Sequence, residues 1–128
     1  YSKYKYNKLI NESDLVVFVH KPNKNNILNF KEYGWVQKDK KNLIKKIRCK
    51  NKVSDNPKKD FVIVGTFTFK NKKIFIRSFK EMLKNQDKIN NEYYMDVVAK
   101  HAKKLDYKVK YILVNNFKSF GTPRDLRK

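Results

Sequence analysis

Two carboxylates stand four residues apart in "NNEYYMDVV": Glu92 and Asp96. On a helix that spacing puts both on one face. The chain has only 12 acids, so a pair near a helix start could ligate a divalent cation. The same pair also reads as dipole complementarity in an early turn, with Asp96 paired to Lys100 one turn on. Glycine carries a second signal, because only Gly34, Gly65 and Gly121 occur. A glycine in a strand interior costs roughly 0.5–1 kcal/mol relative to alanine, so keeping one needs a reason. Gly65 interrupts "FVIVGTFTFK". It serves either a bulge or tight packing, or a strand backbone that lies against a ligand with no side chain between. Gly121 falls beside Pro123 in "NNFKSFGTPRDL", where it reads as a strand-to-helix turn. Gly34, before Trp35, reads as permitting a kink.

Other chemistry is sparse. His20 and His101 form no nucleophilic pattern with Ser, Cys or acids. His101 is expected at the surface or boundary of a helix, and His20 at a strand end facing a loop. Cys49 is the single cysteine, which excludes an intrachain disulfide and a Cys-based metal cluster. It reads as a small buried hydrophobe and is compatible with a reducing compartment. There is no zinc spacing and no Walker-type loop.

The elements that must position these residues follow from periodicity. "LVVFVH" (15–20) reads as a buried strand and "KPNKNN" (21–26) as a loop with Pro and Asn as breakers. "YGWVQKD" (33–39) and "NLIKKIRCK" (42–50) read as strands joined by a Lys/Asp turn, the second with imperfect alternation. "SDNPKKD" (54–60) is a turn or loop. "FVIVGTFTFK" (61–70), β-branched and aromatic nearly throughout, is the strongest strand candidate. Helices are predicted over 73–85 and 91–105, the second capped by Asn90 or Asn91. "YKVKYILVN" (107–115) returns to strand, and "PRDLRK" begins a last helix. This is an α/β pattern in a chain whose 128 residues fit one domain.

The net charge is +20, which raises nucleic acid or another polyanion as a partner. Two features weigh against it. Of 32 basic residues only four are Arg, whereas specific phosphate and base recognition favours the guanidinium fork. The lysines are spread along the chain beside abundant Asn, a joint excess that AT-rich coding also produces. No apolar run approaches the roughly 20 residues of a membrane span, and the start, "YSKYKYNKL", has no signal-peptide core.

Four stretches in order carry a resemblance: "IRCK" ending in Lys50, "GTFTF" from Gly65, "NEYYMD" from Asn91 to Asp96, and "GTPRDL" from Gly121. Together they resemble the C-terminal half of the sugar-phosphate nucleotidylyltransferases, over essentially all of residues 1–128. The upstream "LINESDLVVFVHK" and "EYGWVQKD" stand in the same order. The resemblance implies a nucleotidyltransferase (glycosyltransferase-A-like) mixed sheet with flanking helices, contributing the sugar-phosphate-binding portion. It implies a cytoplasmic, magnesium-dependent reaction of a nucleoside triphosphate with a sugar 1-phosphate, feeding polysaccharide or glycolipid synthesis. Lys50 matches the lysine that holds the sugar phosphate, Asp96 an acid that helps hold Mg²⁺, and Glu92 an acid that contacts sugar hydroxyls. Gly65 matches a glycine whose backbone lies against the sugar, and Gly121 the turn beside the sugar pocket. Cys49 and Arg124 depart from the family pattern, where acids are common. The family's glycine- and Arg-rich nucleotide loop has no counterpart here. With Tyr1 at the start, the expectation is a fragment or processed portion that is not catalytic alone. Homo-oligomerisation is left open. The alternatives are a basic nucleic-acid or polyanion-binding module and an inactive remnant.

Overall fold

The computed structural model describes residues 3–115, with side chains from Tyr6 onward. The elements run α1 (Lys3–Asn11), β1 (Leu15–His20), α2 (Lys24–Leu28), β2 (Gly34–Lys38), β3 (Ile44–Cys49), β4 (Phe61–Phe69), α3 (Lys72–Lys84), α4 (Met95–Lys104) and β5 (Val109–Leu113). The strands form one mixed sheet in the order β3-β2-β4-β1-β5. Only the β1–β5 pair is parallel; the other neighbours are antiparallel.

β1 explains why a continuous apolar run is needed in the middle of this sheet. Leu15, Val17 and Val19 point into the main core with Ala99 and Ala102 of α4. Val16 points the other way, against Leu9 of α1 and Ile112 of β5. A strand covered on both faces cannot alternate apolar and polar residues. Trp35 and Val62 fill a further cluster on that second face with Ile27 and Phe30. The indole N–H of Trp35 donates to the Phe30 carbonyl at 3.0 Å. Helices α3 and α4 pack together over the first face, joined by Met82, Val97 and Val98.

Two expectations are corrected here. Residues 21–26 are not all loop: Asn23 caps α2, and Asn23 and Asn26 bond reciprocally, side chain to backbone N–H, at 2.8 and 2.9 Å. Asn read as a breaker is a helix start when a partner stands three residues on. α1 was not anticipated, although Tyr6, Leu9 and Ile10 stand at helical spacing and pack on the sheet. The imperfect alternation of β3 has a cause. Gln37 pairs with Lys46 but Lys38 pairs with Ile44, so Lys45 is an extra, bulged residue. That bulge lets Ile44 and Ile47, an odd number of residues apart, both enter the core.

Candidate active site

Antiparallel pairing places Gly34 of β2 opposite Cys49 of β3. The register of β2 with β4 continues from Trp35–Val62 to bring Gly34 beside Ile63. Lys50, the residue after β3, therefore stands at the same end of the sheet as Gly34, and Gly65 lies two residues beyond Ile63 along β4. Over this end sits the first turn of α4, carrying Asp96.

Gly34 has a role that its sequence context did not reveal. A Cβ there would collide with Asp96 Oδ2 and stand 2.9 Å from Asp96 Cγ. The carboxyl group of Asp96 occupies the space where a side chain at position 34 would begin, and only glycine leaves that space. The kink expected of Gly34 is thus replaced by a close approach, the second of the reasons a strand keeps a glycine.

The surroundings of Asp96 work against its charge. Burial pushes its pKa up from 3.8 to about 6, while the Cys49 thiol and the Lys50 ammonium pull back toward the charged form. Cys49 is affected in turn. Burial, with the adjacent Asp96 carboxylate, pushes the thiol up to about 12. It is a buried neutral thiol, a hydrogen-bond donor and not a nucleophile.

Lys50 adopts the left-handed conformation, φ 54°, which costs about 1 kcal/mol for a residue with a Cβ. Its N–H donates to the Tyr33 carbonyl at 2.9 Å. Its ammonium lies over the Tyr94 ring, 5.1 Å from the centroid. Tyr94 connects it to Glu92, whose carboxylate beside the phenol raises the phenol's pKa.

Glu92 is not on the helix. Ile89 and Glu92 exchange backbone hydrogen bonds at 2.9 and 3.0 Å, with Asn90 and Asn91 between them at φ 51° and 65°. Two positive φ values in a two-residue loop mark a type I′ turn, where Asn is favoured. The asparagines read as helix caps are turn residues, and α4 starts at Met95 after Tyr94 as N-cap. Glu92 and Asp96 therefore do not share a helix face. They reach the same corner of the molecule through Lys50 and Tyr94.

Gly65 is exposed at φ 106°, a conformation that strongly favours glycine. Val17 pairs with Phe67 and Val19 with Ile63, so Gly65 is central in an irregularity where β4 carries extra residues. No atom comes within 4 Å of a Cβ built there. The bulge reading thus accounts for its conformation, tight packing does not, and its surface is open. Gly121, with Pro123 and the last predicted helix, lies outside the described residues.

His101, expected near the surface, is 1% exposed. Its Nε2 lies 2.8 Å from Asp87 Oδ2, which also accepts from Lys100 at 3.0 Å. Lys100 therefore pairs with Asp87 and not with Asp96. This cluster ties α4 to the base of the turn that carries Glu92. His20 is also buried, with Nδ1 2.9 Å from the Lys21 carbonyl at the loop after β1.

Among the described residues no group of three or more His, Cys, Asp or Glu is placed to hold a metal. Asp96 offers hard oxygen donors, beside the protonated Cys49 thiol. It suits a cation that takes most of its ligands from water and phosphate, as Mg²⁺ does, and not a soft metal.

No family model matches the sequence, and no curated protein does. Among solved structures the chain is similar to the nucleoside-diphosphate-sugar pyrophosphorylase from Vibrio cholerae RC9, with a TM-score of 0.72 at 15% identity. The match covers 93% of this chain and 47% of that one, so the chain spans about half the length of that structure. The likeness is one of fold: a five-stranded mixed sheet with flanking helices, similar to a nucleotidyltransferase.

Proposed function

We propose that this chain supplies the sugar-phosphate side of a centre that joins a nucleoside triphosphate to a sugar 1-phosphate and releases pyrophosphate. The observation that carries this reading is the meeting of Lys50, Asp96 and Glu92 at one sheet end, on a pyrophosphorylase-like fold. In the proposed reaction a phosphate oxygen of the sugar 1-phosphate attacks the α-phosphorus in line, and the P–O bond to pyrophosphate breaks. Lys50 holds the sugar phosphate as a point charge. Its left-handed backbone and the Tyr94 ring limit where the ammonium can go, which is positional catalysis. Glu92 accepts hydrogen bonds from sugar hydroxyls. The open backbone at Gly65 lets the sugar ring approach, and Gly121 is proposed, from the resemblance alone, as a further substrate-binding residue. Asp96 would hold Mg²⁺. Bound magnesium would offset charge on the phosphoryl oxygens. The triphosphate-binding side is assigned to sequence beyond these 128 residues. The cellular role proposed is cytoplasmic nucleotide-sugar supply for polysaccharide or glycolipid assembly.

Calorimetric titration with glucose 1-phosphate, with and without MgCl₂, tests this. The wild type is expected to bind, more tightly with magnesium. Lys50→Ala is expected to lose roughly tenfold or more, about 1.4 kcal/mol, and Asp96→Asn to lose the magnesium dependence. Equal binding by all three proteins would sink the reading.

A further inference from the structure

A groove of about 680 Å³ runs between β3 and α4. Lys50, Gly65, Glu92 and Asp96 do not line it, but Cys49, Ile89 and Val97 do, so it adjoins the candidate active site and runs away from it along β3. One wall is five consecutive residues of β3, from Lys45 to Cys49. Successive strand residues point to opposite faces, so a groove touching five in a row follows the main-chain edge and not one face. Among the described residues β3 is an edge strand with β2 as its one neighbour in the sheet, and Leu43 just before it makes an isolated bridge to Lys110 of β5. The other wall is one stripe of α4, from Val97 through Lys100 to Lys104.

The groove is strongly cationic. Lys45, Lys46, Arg48, Lys100, Lys103 and Lys104 line it, against Asp106 as the one acid. Of these cations only Lys100 has an ion pair among the described residues, with Asp87. The floor is apolar, with Ile47 and Val97.

We infer that this groove binds an extended acidic segment of a partner polypeptide, added as a further strand on the edge of β3. Main-chain groups of β3 would bond the incoming strand, and its carboxylates would meet the lysines of both walls. Charge excludes a second copy of this chain, which carries +20. It also disfavours residues 116–128, which hold four cations and one acid. Single-stranded nucleic acid fits less well, because among the described residues no aromatic ring lines the groove and stacking platforms are the usual basis of that binding. The plain alternative is that the lysines only guard an edge strand against aggregation, a role the α4 lysines do not serve.

The test uses the whole chain and a fluorescein-labelled ten-residue peptide of alternating Glu and Val. Binding is expected by fluorescence anisotropy, weakening with salt, with amide exchange slowed across Ile44–Cys49. A peptide of the same sequence with every backbone nitrogen methylated keeps the charge and loses the donors; it is expected to bind roughly tenfold or more weakly. The double variant Lys45→Glu, Lys104→Glu, both exposed positions, is expected to lose a similar factor. Equal binding of the methylated peptide would reduce the effect to bulk charge and overturn strand addition. No binding, or unchanged exchange over β3, would leave the lysines as edge guards. An oligothymidylate that binds when the peptide does not, and is lost in the double variant, would overturn the proposal in favour of nucleic acid.

Discussion

Two aspartates, Asp87 bonded to α4 and Asp96 within its first turn, end in opposite states. Asp87 meets Lys100 and the buried His101. Burial alone would raise its pKa, but those two donors hold the carboxyl below its ordinary value. Asp96 lies against Gly34 of β2, with a thiol and an ammonium as its partners, and its pKa is raised to about 6. Asp87 is a carboxylate the fold uses for itself. Asp96 is one the fold holds against its own stability, with its charge incompletely compensated. Under the proposed function, Asp96 and not Asp87 is the carboxylate the reaction would use.

The largest expected effect comes from breaking the satisfied corner. Asp87→Ala leaves Nε2 of a buried imidazole without its acceptor, and Nδ1 already has no partner. Chemical denaturation should show a loss of about 3 kcal/mol. The pH profile should change as well. A depressed carboxyl contributes stability above its unfolded pKa that is lost as pH falls through the folded value. Asp87→Asn should therefore remove part of the acid limb below pH 3.8.

Gly34→Ala tests the close approach next. The new Cβ overlaps Asp96 Oδ2 and stands 3.0 Å from Ile63 Cδ1, an overpacking worth about 2 kcal/mol. A double-mutant cycle sharpens it. Asp96→Ala in the Gly34→Ala background should recover much of that loss, whereas independent sites would add.

Asp96→Asn should act with the opposite sign to Asp87→Ala. Folded Asp96 keeps its proton to about pH 6 whereas the unfolded chain releases it near 3.8. The folded state binds the extra proton in that window, so wild-type stability falls as pH rises through it. Asn removes this fall. Above pH 6 the variant should be the more stable protein by roughly 4 °C in Tm, measured by thermal melts across pH.

The smallest effect is at Lys50. Lys50→Gly relieves a left-handed residue and should stabilise by up to about 1 kcal/mol while weakening sugar-phosphate binding. A destabilised Lys50→Gly protein would mean that the aliphatic stem over Tyr94 contributes more than the backbone conformation costs.

The strands were legible because their physics is local. β1 and β4 are apolar or β-branched runs, and Lys/Asp and Asn/Pro stretches separate β2, β3 and β4. The helix start near residue 91 was misplaced because Asn suits both an N-cap and a left-handed turn. Which one it adopts depends on the Ile89–Glu92 pairing. His101 was legible in principle, since it stands four residues after Val97 and three after Val98, on the apolar stripe. Its polarity outweighed its position, and the acceptor that permits its burial, Asp87, lies 14 residues away. Gly34 was hidden for a similar reason. The group it makes room for belongs to a helix 62 positions on (Asp96 minus Gly34), a distance no local pattern spans. Lys50 was reached by resemblance and Asp96 by its spacing from Glu92 and then by resemblance, whereas the corner they share with Gly34 needed coordinates.

The most direct measurement is amide chemical-shift mapping on ¹⁵N-labelled protein titrated with glucose 1-phosphate and MgCl₂. The account predicts that the largest shifts fall at Lys50, Gly65, Glu92 and the first turn of α4, that Asp96→Asn makes them independent of MgCl₂, and that Lys50→Ala shifts their saturation to roughly tenfold higher ligand concentration. Shifts confined to the lysines of the β3–α4 groove, or no saturable shifts at all, would contradict it.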